Sequence, residues 1–342
     1  MPDSPPRRLT TVGHAAETVP MTETGFSKVA AAAREASTRI AGLVRETPLD
    51  YSQRYSAAIG ADVYLKLENL QYTGSFKLRG AANRLMTLAR DQQEAGCVAA
   101  SSGNHGAAVA FAMRKLGIGG VIFVPEKTSS AKVEAIRSYG GDVRFFGEDG
   151  LDTELHARAY ADENGMFYLS PYNDPEVIAG QGTCGIEIGA SLPAVDTLYV
   201  AVGGGGLVSG VASVLKAANP ALRVVGCQPD ASAVMAHSVA AGRIVDEASL
   251  PTLSDGTAGG IEQGAITFEL CNQLVDEFVL VSEAEIAAAM RQFIDYQHQL
   301  IEGAAGVALA ALSKQADSLA GRNVVVLVCG ANVSRDTLKR IL

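Results

Sequence analysis

The apolar positions of this chain fall into short uninterrupted runs, separated by longer stretches in which they recur at the spacing of one helix face. Residues 63–67 read as a strand and 77–90 as a helix. A short run at 97–100 leads into a helical stretch at 104–116. The unit repeats through 121–124, 129–139, 143–146 and 151–164. Farther on, runs at 197–202, 223–228, 278–281 and 324–328 alternate with a helix ending at 218 and helices at 232–241 and 283–300. Strands apolar on both faces, each followed by a helix, predict parallel sheets with helices packed on both sides. The expected fold class is α/β, with two lobes of mostly parallel sheet and a cleft between them. A small lobe is expected at 71–170, inserted in a larger one made of 26–70 and 171–342. Residues 1–25 carry Pro2, Pro5, Pro6 and Pro20 without an apolar period and read as a mobile tail.

Composition narrows the classes. The chain has 342 residues, 48% hydrophobic and 19% charged, enough for a well-buried core. A formal charge of -9 argues against a nucleic-acid partner, which calls for a basic patch. The five cysteines have no C-x-x-C or metal-type spacing and read as reduced thiols. No apolar run is long enough to span a bilayer and no secretory leader is evident, so a cytoplasmic location without membrane contact is expected.

Four segments follow or end predicted strands, where α/β proteins place their ligand loops. Thr73-Gly74-Ser75-Phe76-Lys77-Leu78-Arg79-Gly80-Ala81 opens a helix with a lysine, a position the macrodipole disfavours; alone, it would read as a surface lysine. Ser101-Ser102-Gly103-Asn104-His105-Gly106 could offer helix N-terminal amides and hydroxyls to a carboxylate, or could simply cap the helix. Gly203, Gly204, Gly205 and Gly206 let a backbone come close to a phosphate; without Walker or dinucleotide spacing, a lone phosphate monoester fits best. Cys329-Gly330-Ala331-Asn332 ends the last strand, and its thiol taken alone is a small core hydrophobe.

Together, in this order and over nearly the whole chain from about Ile40, the four segments resemble the fold-type II pyridoxal-phosphate enzymes. The branch is that of the serine/threonine dehydratases (ammonia-lyases) and serine racemases. The resemblance implies the fold of the tryptophan synthase β type and pyridoxal 5'-phosphate as cofactor. It makes Lys77 the Schiff-base lysine, Phe76 the aromatic beside the ring and Asn104 the partner of the cofactor's phenolic oxygen. Gly203 to Gly206 with Leu207 become the phosphate cup, Cys329 the group facing the pyridine nitrogen, and Gly256 a cofactor neighbour. Ser101, Ser102, Asn104 and His105 would receive the substrate carboxylate, with Asp255 and Glu302 near the cleft and Tyr172 toward the substrate's distal end. Leu78 after the lysine is dehydratase-like; synthases of the family carry aspartate there.

The implied reaction is loss of the hydroxyl of a small β-hydroxy amino acid, threonine or serine in type, giving a 2-oxo acid and ammonia. Lys77 would be the catalytic base. Ser102 stands where racemases of the family carry a serine acting on the opposite face, so a racemase is the alternative, and a catalytically silent ligand-binding homologue a further one. Gln228 and Val234 replace the carboxylates of a divalent site seen in racemase-like relatives. A monovalent cation held by backbone carbonyls is left open, as is any metal. A homodimer or higher homo-oligomer is expected.

Overall fold

The computed structural model describes residues 25–342. The tail expected at 1–25 therefore lies outside the described residues, save Gly25. The chain runs α1 (Gly25–Arg39), β1 (Leu49–Tyr51), α2 (Gln53–Ile59), β2 (Asp62–Leu67), a 3-10 turn (Glu68–Leu70), α3 (Lys77–Thr87), α4 (Arg90–Ala95) and β3 (Cys97–Ala100). It continues with α5 (Asn104–Leu116), β4 (Gly120–Val124), α6 (Ser130–Ser138), β5 (Asp142–Phe145), α7 (Gly150–Glu163), β6 (Phe167–Tyr168) and α8 (Pro175–Ser191). Then come β7 (Thr197–Ala201), α9 (Gly206–Ala218), β8 (Arg223–Pro229), α10 (Val234–Ala241), α11 (Ile266–Leu274), β9 (Glu277–Val281), α12 (Glu283–Gln297), α13 (Gly303–Lys314), β10 (Asn323–Val328) and α14 (Arg335–Ile341).

The strands form two sheets, one ordered β1-β2-β10-β7-β8-β9 and one ordered β5-β4-β3-β6. All pairings are parallel except β1 with β2 at the edge of the larger sheet. The smaller sheet draws only on residues 97–168, which lie between β2 and β7 of the larger one. Each sheet has its own apolar core. The loops after β3, β7 and β10 leave from carboxyl ends of parallel strands, which is how the quoted motifs come to share one cleft.

Three helix ends differ from the sequence expectation by two residues or more. The helix expected at 77–90 stops at Thr87, because Leu88 turns to extended backbone (ψ 139°) before α4 begins. The helix expected to run to 300 ends at Gln297, where His298 adopts left-handed backbone (φ 55°). The helix expected from 232 begins at Val234, where the Gln228 side chain accepts from Ala236 N at 2.7 Å.

Of the helices that the apolar pattern did not predict, α13 and α8 went unmarked for clear physical reasons. The residues of α13 from Gly303 to Leu312 are all buried, so it is apolar all round and shows no amphipathic period. In α8, Gly180, Gly182 and Gly185 look like breakers but are contact points. A Cβ on Gly180 would lie 2.6 Å from Arg79 O, and one on Gly210 in α9 would lie 2.3 Å from Ile178 O. These glycines let α8 meet α3 and α9 backbone to backbone.

Beneath that crossing lies a buried charge cluster. The Arg79 guanidinium is fully buried and bonds both oxygens of Glu68, each at 2.8 Å, and both of Glu187, at 2.5 and 2.8 Å. Lys66 from β2 adds an ion pair to Glu187 and a bond to Thr47 O at 2.6 Å. Burial pushes Glu68 toward the neutral acid, but the opposing charge and hydrogen bonds of Arg79 outweigh it and hold its pKa below the usual value. A folded pKa below the unfolded one gives stability that is present above the ordinary carboxylate range and lost as pH falls. Arg79→Met leaves Glu68 and Glu187 without their bidentate partner and should cost about 3–5 kcal/mol. Urea unfolding checks this; a loss below about 1 kcal/mol would mean the cluster is not a determinant of stability.

Candidate active site

The lysine loop is held by the end of β10. Phe76 N donates to Cys329 O at 3.1 Å, Ala331 N donates to Gly74 O at 2.9 Å, and Ser75 pairs with Gly330 in an isolated antiparallel bridge. Gly74 has φ 72°, and a Cβ there would stand 2.9 Å from Asn332 Oδ1, so only glycine fits. Lys77 is the first residue of α3. Its Nζ donates to Pro171 O at 2.8 Å and lies 5.2 Å from the Phe76 ring centre. Burial lowers its pKa to about 8, against the pull of Cys329 and Glu302. The amine is thus easily freed of its proton.

The glycine loop after β7 is shaped by its neighbours. A Cβ on Gly204 would lie 2.5 Å from the Tyr172 ring, one on Gly203 would lie 3.0 Å from Thr257 Cα, and Gly205 has φ 85°. The loop runs straight into α9, whose first-turn amides have no intrahelical acceptor, and Leu207 is buried in that turn. Such a turn is built for a dianion. Tyr172 therefore packs on this loop, and its hydroxyl accepts from Glu262 N at 2.9 Å. It lines the cavity with its ring, while its hydroxyl is spent on the protein.

Ser101 and Ser102 lie between β3 and α5, with Gly103 N donating to Ser101 Oγ at 3.2 Å. Asn104 opens α5. His105 turns its side chain inward. Its buried ring bonds Leu169 O through Nε2 at 2.9 Å, and burial, then the nearby Lys77 charge, lowers its pKa to about 3. The ring is a neutral brace for the loop, so the part of His105 left for a carboxylate is its backbone amide.

Facing this loop across the cleft are Cys329 and Glu302. Burial, then the neighbouring Glu302, pushes the Cys329 thiol well above its ordinary pKa, so it stays protonated. Glu302 precedes α13 and is buried, which raises its pKa to about 7, while the hydrogen bond from Asn104 pulls the other way. Asn104 Nδ2 lies 2.9 Å from each carboxylate oxygen, and Asn332 N donates to Oε2 at 3.2 Å. A Cβ on Gly256 would come 3.6 Å from Glu302 Oε1. Asp255 sits at the mouth, paired with Lys132 of α6 at 3.1 Å.

These groups line one cavity of about 660 Å³, and every site residue expected from the sequence touches it. Sequence reasoning missed Pro171, whose carbonyl holds the lysine, and Lys132, which closes the mouth. It also gave no role to Asn332, although the quoted Cys329-to-Asn332 segment contains it. Among the described residues there is no group of three His, Cys, Asp or Glu side chains placed to hold a metal, and no helix long and apolar enough to cross a membrane.

Comparison with known proteins bears on this geometry. The catabolic L-threonine dehydratase of Staphylococcus aureus is 42% identical over 87% of this chain and 87% of that protein. The processed form of threonine deaminase isoform 2 from Solanum lycopersicum has a similar structure, with TM-score 0.87, 32% identity and 92% of each chain covered. Maize serine racemase follows at TM-score 0.86 and 34% identity, covering 91% of this chain and 95% of that one. Residues 40–330 match the family described as pyridoxal-phosphate dependent enzymes, and it is to this family that the chain belongs.

Proposed function

We propose that this protein is a hydroxy-amino-acid dehydratase of the threonine and serine type, with Lys77 as its cofactor lysine and base. The carrying observation is the position of Lys77. Its buried amine, held on Pro171 O, shares a cavity with the glycine cradle and with a neutral thiol.

The residues present fit pyridoxal 5'-phosphate. A cradle that Cβ atoms would fill at Gly203 and Gly204 suits the phosphate, Lys77 suits the aldehyde, and Asn104 and Cys329 suit the polar atoms of the ring. When bound, that group supplies an electron sink for charge developing at the substrate's α-carbon. The protein supplies the rest. The amides and hydroxyls of residues 101–105 hold the substrate carboxylate and so aim the Cα–H bond at Lys77, an orientation effect. Lys77 Nζ accepts the α-proton, and its lowered pKa makes the neutral amine available near physiological pH.

The Cys329 thiol, held protonated by burial, would face the ring nitrogen as a neutral group, whereas an aspartate there would keep that nitrogen charged. A neutral partner there would make the bound group a weaker electron sink and so would favour prompt loss of the β-hydroxyl. Over the whole reaction one water is lost and one regained, so a β-hydroxy amino acid becomes a 2-oxo acid and ammonia.

A racemase is the second reading, favoured by Ser102 in the cavity and by the likeness to maize serine racemase. Elimination stands first because the relative named above at 42% identity is a threonine dehydratase.

Incubation with L-threonine, L-serine and larger β-hydroxy amino acids should release 2-oxo acid and ammonia in equal amounts. Lys77→Ala should abolish both; an active Lys77→Ala enzyme would refute the assignment. Cofactor uptake by the apoenzyme needs the neutral amine, and raising the pH removes its proton. The uptake rate should climb with pH and level off above about 8; a rate flat from pH 6 to 9 would contradict a protonated resting Lys77. Ser102→Ala should keep L-substrate dehydration within about tenfold of wild type, roughly 1.4 kcal/mol in the barrier, while any D-amino acid formation falls much further. Wild-type enzyme that makes D-serine faster than pyruvate would favour the racemase.

A further inference from the structure

Asn104 can meet a ligand in two ways, through its NH2 or through its carbonyl oxygen, and the two are chemically opposite. Its neighbours decide between them. Glu302 alone does not suffice, since a carboxyl group near its pKa accepts when ionised and can donate when protonated. Asn332 has no such freedom. Its Nδ2 lies 3.0 Å from Thr73 O, a backbone carbonyl that can only accept, so the NH2 of Asn332 must point there. The same Nδ2 stands 2.5 Å from Asn104 Oδ1. The other end of the amide, Oδ1, lies beside Gly74, where an added Cβ would stand only 2.9 Å from it. The amide of Asn332 is therefore fixed, and it fixes that of Asn104.

We propose that Asn332 is a positioning residue that orients Asn104 with its NH2 toward Glu302 and the cavity, so that Asn104 meets the cofactor's phenolic oxygen as a hydrogen-bond donor. This rests on the reading of Lys77 and Asn104 given above. A donor stabilises the phenolic oxygen as an anion. With the amide reversed, two acceptors would face each other, and the oxygen would keep its proton. The backbone of Asn332 bonds Glu302 Oε2 independently, and that contact survives replacement of the side chain. The side chain itself is exposed to the cavity, so its loss leaves no buried void.

The test uses substrate-free holoenzyme at fixed pH and reads the ratio of visible to near-ultraviolet imine absorption, which reports anionic against protonated phenolic oxygen. Asn332→Leu, which has the shape of asparagine without its polar groups, should lower the ratio at least about threefold, in keeping with one lost hydrogen bond. Asn332→Ala serves as a second variant with the same expectation, and cofactor content is measured on each. Asn104→Ala should lower the ratio comparably, and the Asn104→Ala/Asn332→Leu double variant should fall no further, because both act through one bond. A ratio that falls in Asn104→Ala but is unchanged in Asn332→Leu and Asn332→Ala would overturn the proposal, as would additive effects in the double variant. A ratio unchanged in every variant would refute the Asn104 reading and the proposal with it. A wild-type holoenzyme without an imine band would refute the Lys77 reading, again taking the proposal with it.

Discussion

Arg79 stands two residues beyond Lys77, and its buried guanidinium joins the turn after β2 to α8 through Glu68 and Glu187. A charge with no access to water is tolerable only when its counter-charges are fixed in number and direction. Four side chains, two positive and two negative, meet that condition together. Once they have done so, α3 cannot slide or rotate, and Lys77 at its first turn inherits the constraint. The small residues where α3 and α8 cross follow from the same demand, since Gly80 and Gly180 let the two helices come close enough for Glu187 to reach Arg79.

The cavity above this anchor is lined by ionisable groups that burial has moved toward their neutral forms. Lys77 comes down to about 8, His105 down to about 3, Glu302 up to about 7, and the Cys329 thiol upward as well. Desolvation acts on acids and bases in opposite directions and arrives at the same result.

Much of this was legible in the residues. The uninterrupted apolar runs that became β7 and β10 announced a parallel sheet, and the segments around Lys77, Asn104, Gly203 and Cys329 announced a shared cleft. What stayed hidden has physical causes. Helix α13 has no polar face, so periodicity could not mark it. Helix α8 is dense in glycine, which propensity reads as a breaker, whereas contact with α3 and α9 makes it an asset. The ring of His105 turns to Leu169 O because α5 points it there, a direction that residue type cannot convey. Asn332 gained its meaning only when Thr73, distant in the chain, was seen beside it.

The place of β10 has a temporal consequence. It is the last strand in chain order, yet it lies between β2 and β7 in the larger sheet. During synthesis, which proceeds from the amino end, β2 has no neighbour on its inner edge until β10 leaves the ribosome. The loop that carries Lys77 is pinned to the residues just after β10, so it too waits for them. The smaller sheet, complete by residue 168, has no such dependence on a late strand. A nascent chain can thus finish the smaller sheet before Lys77 acquires its seat, which waits for the residues just after β10.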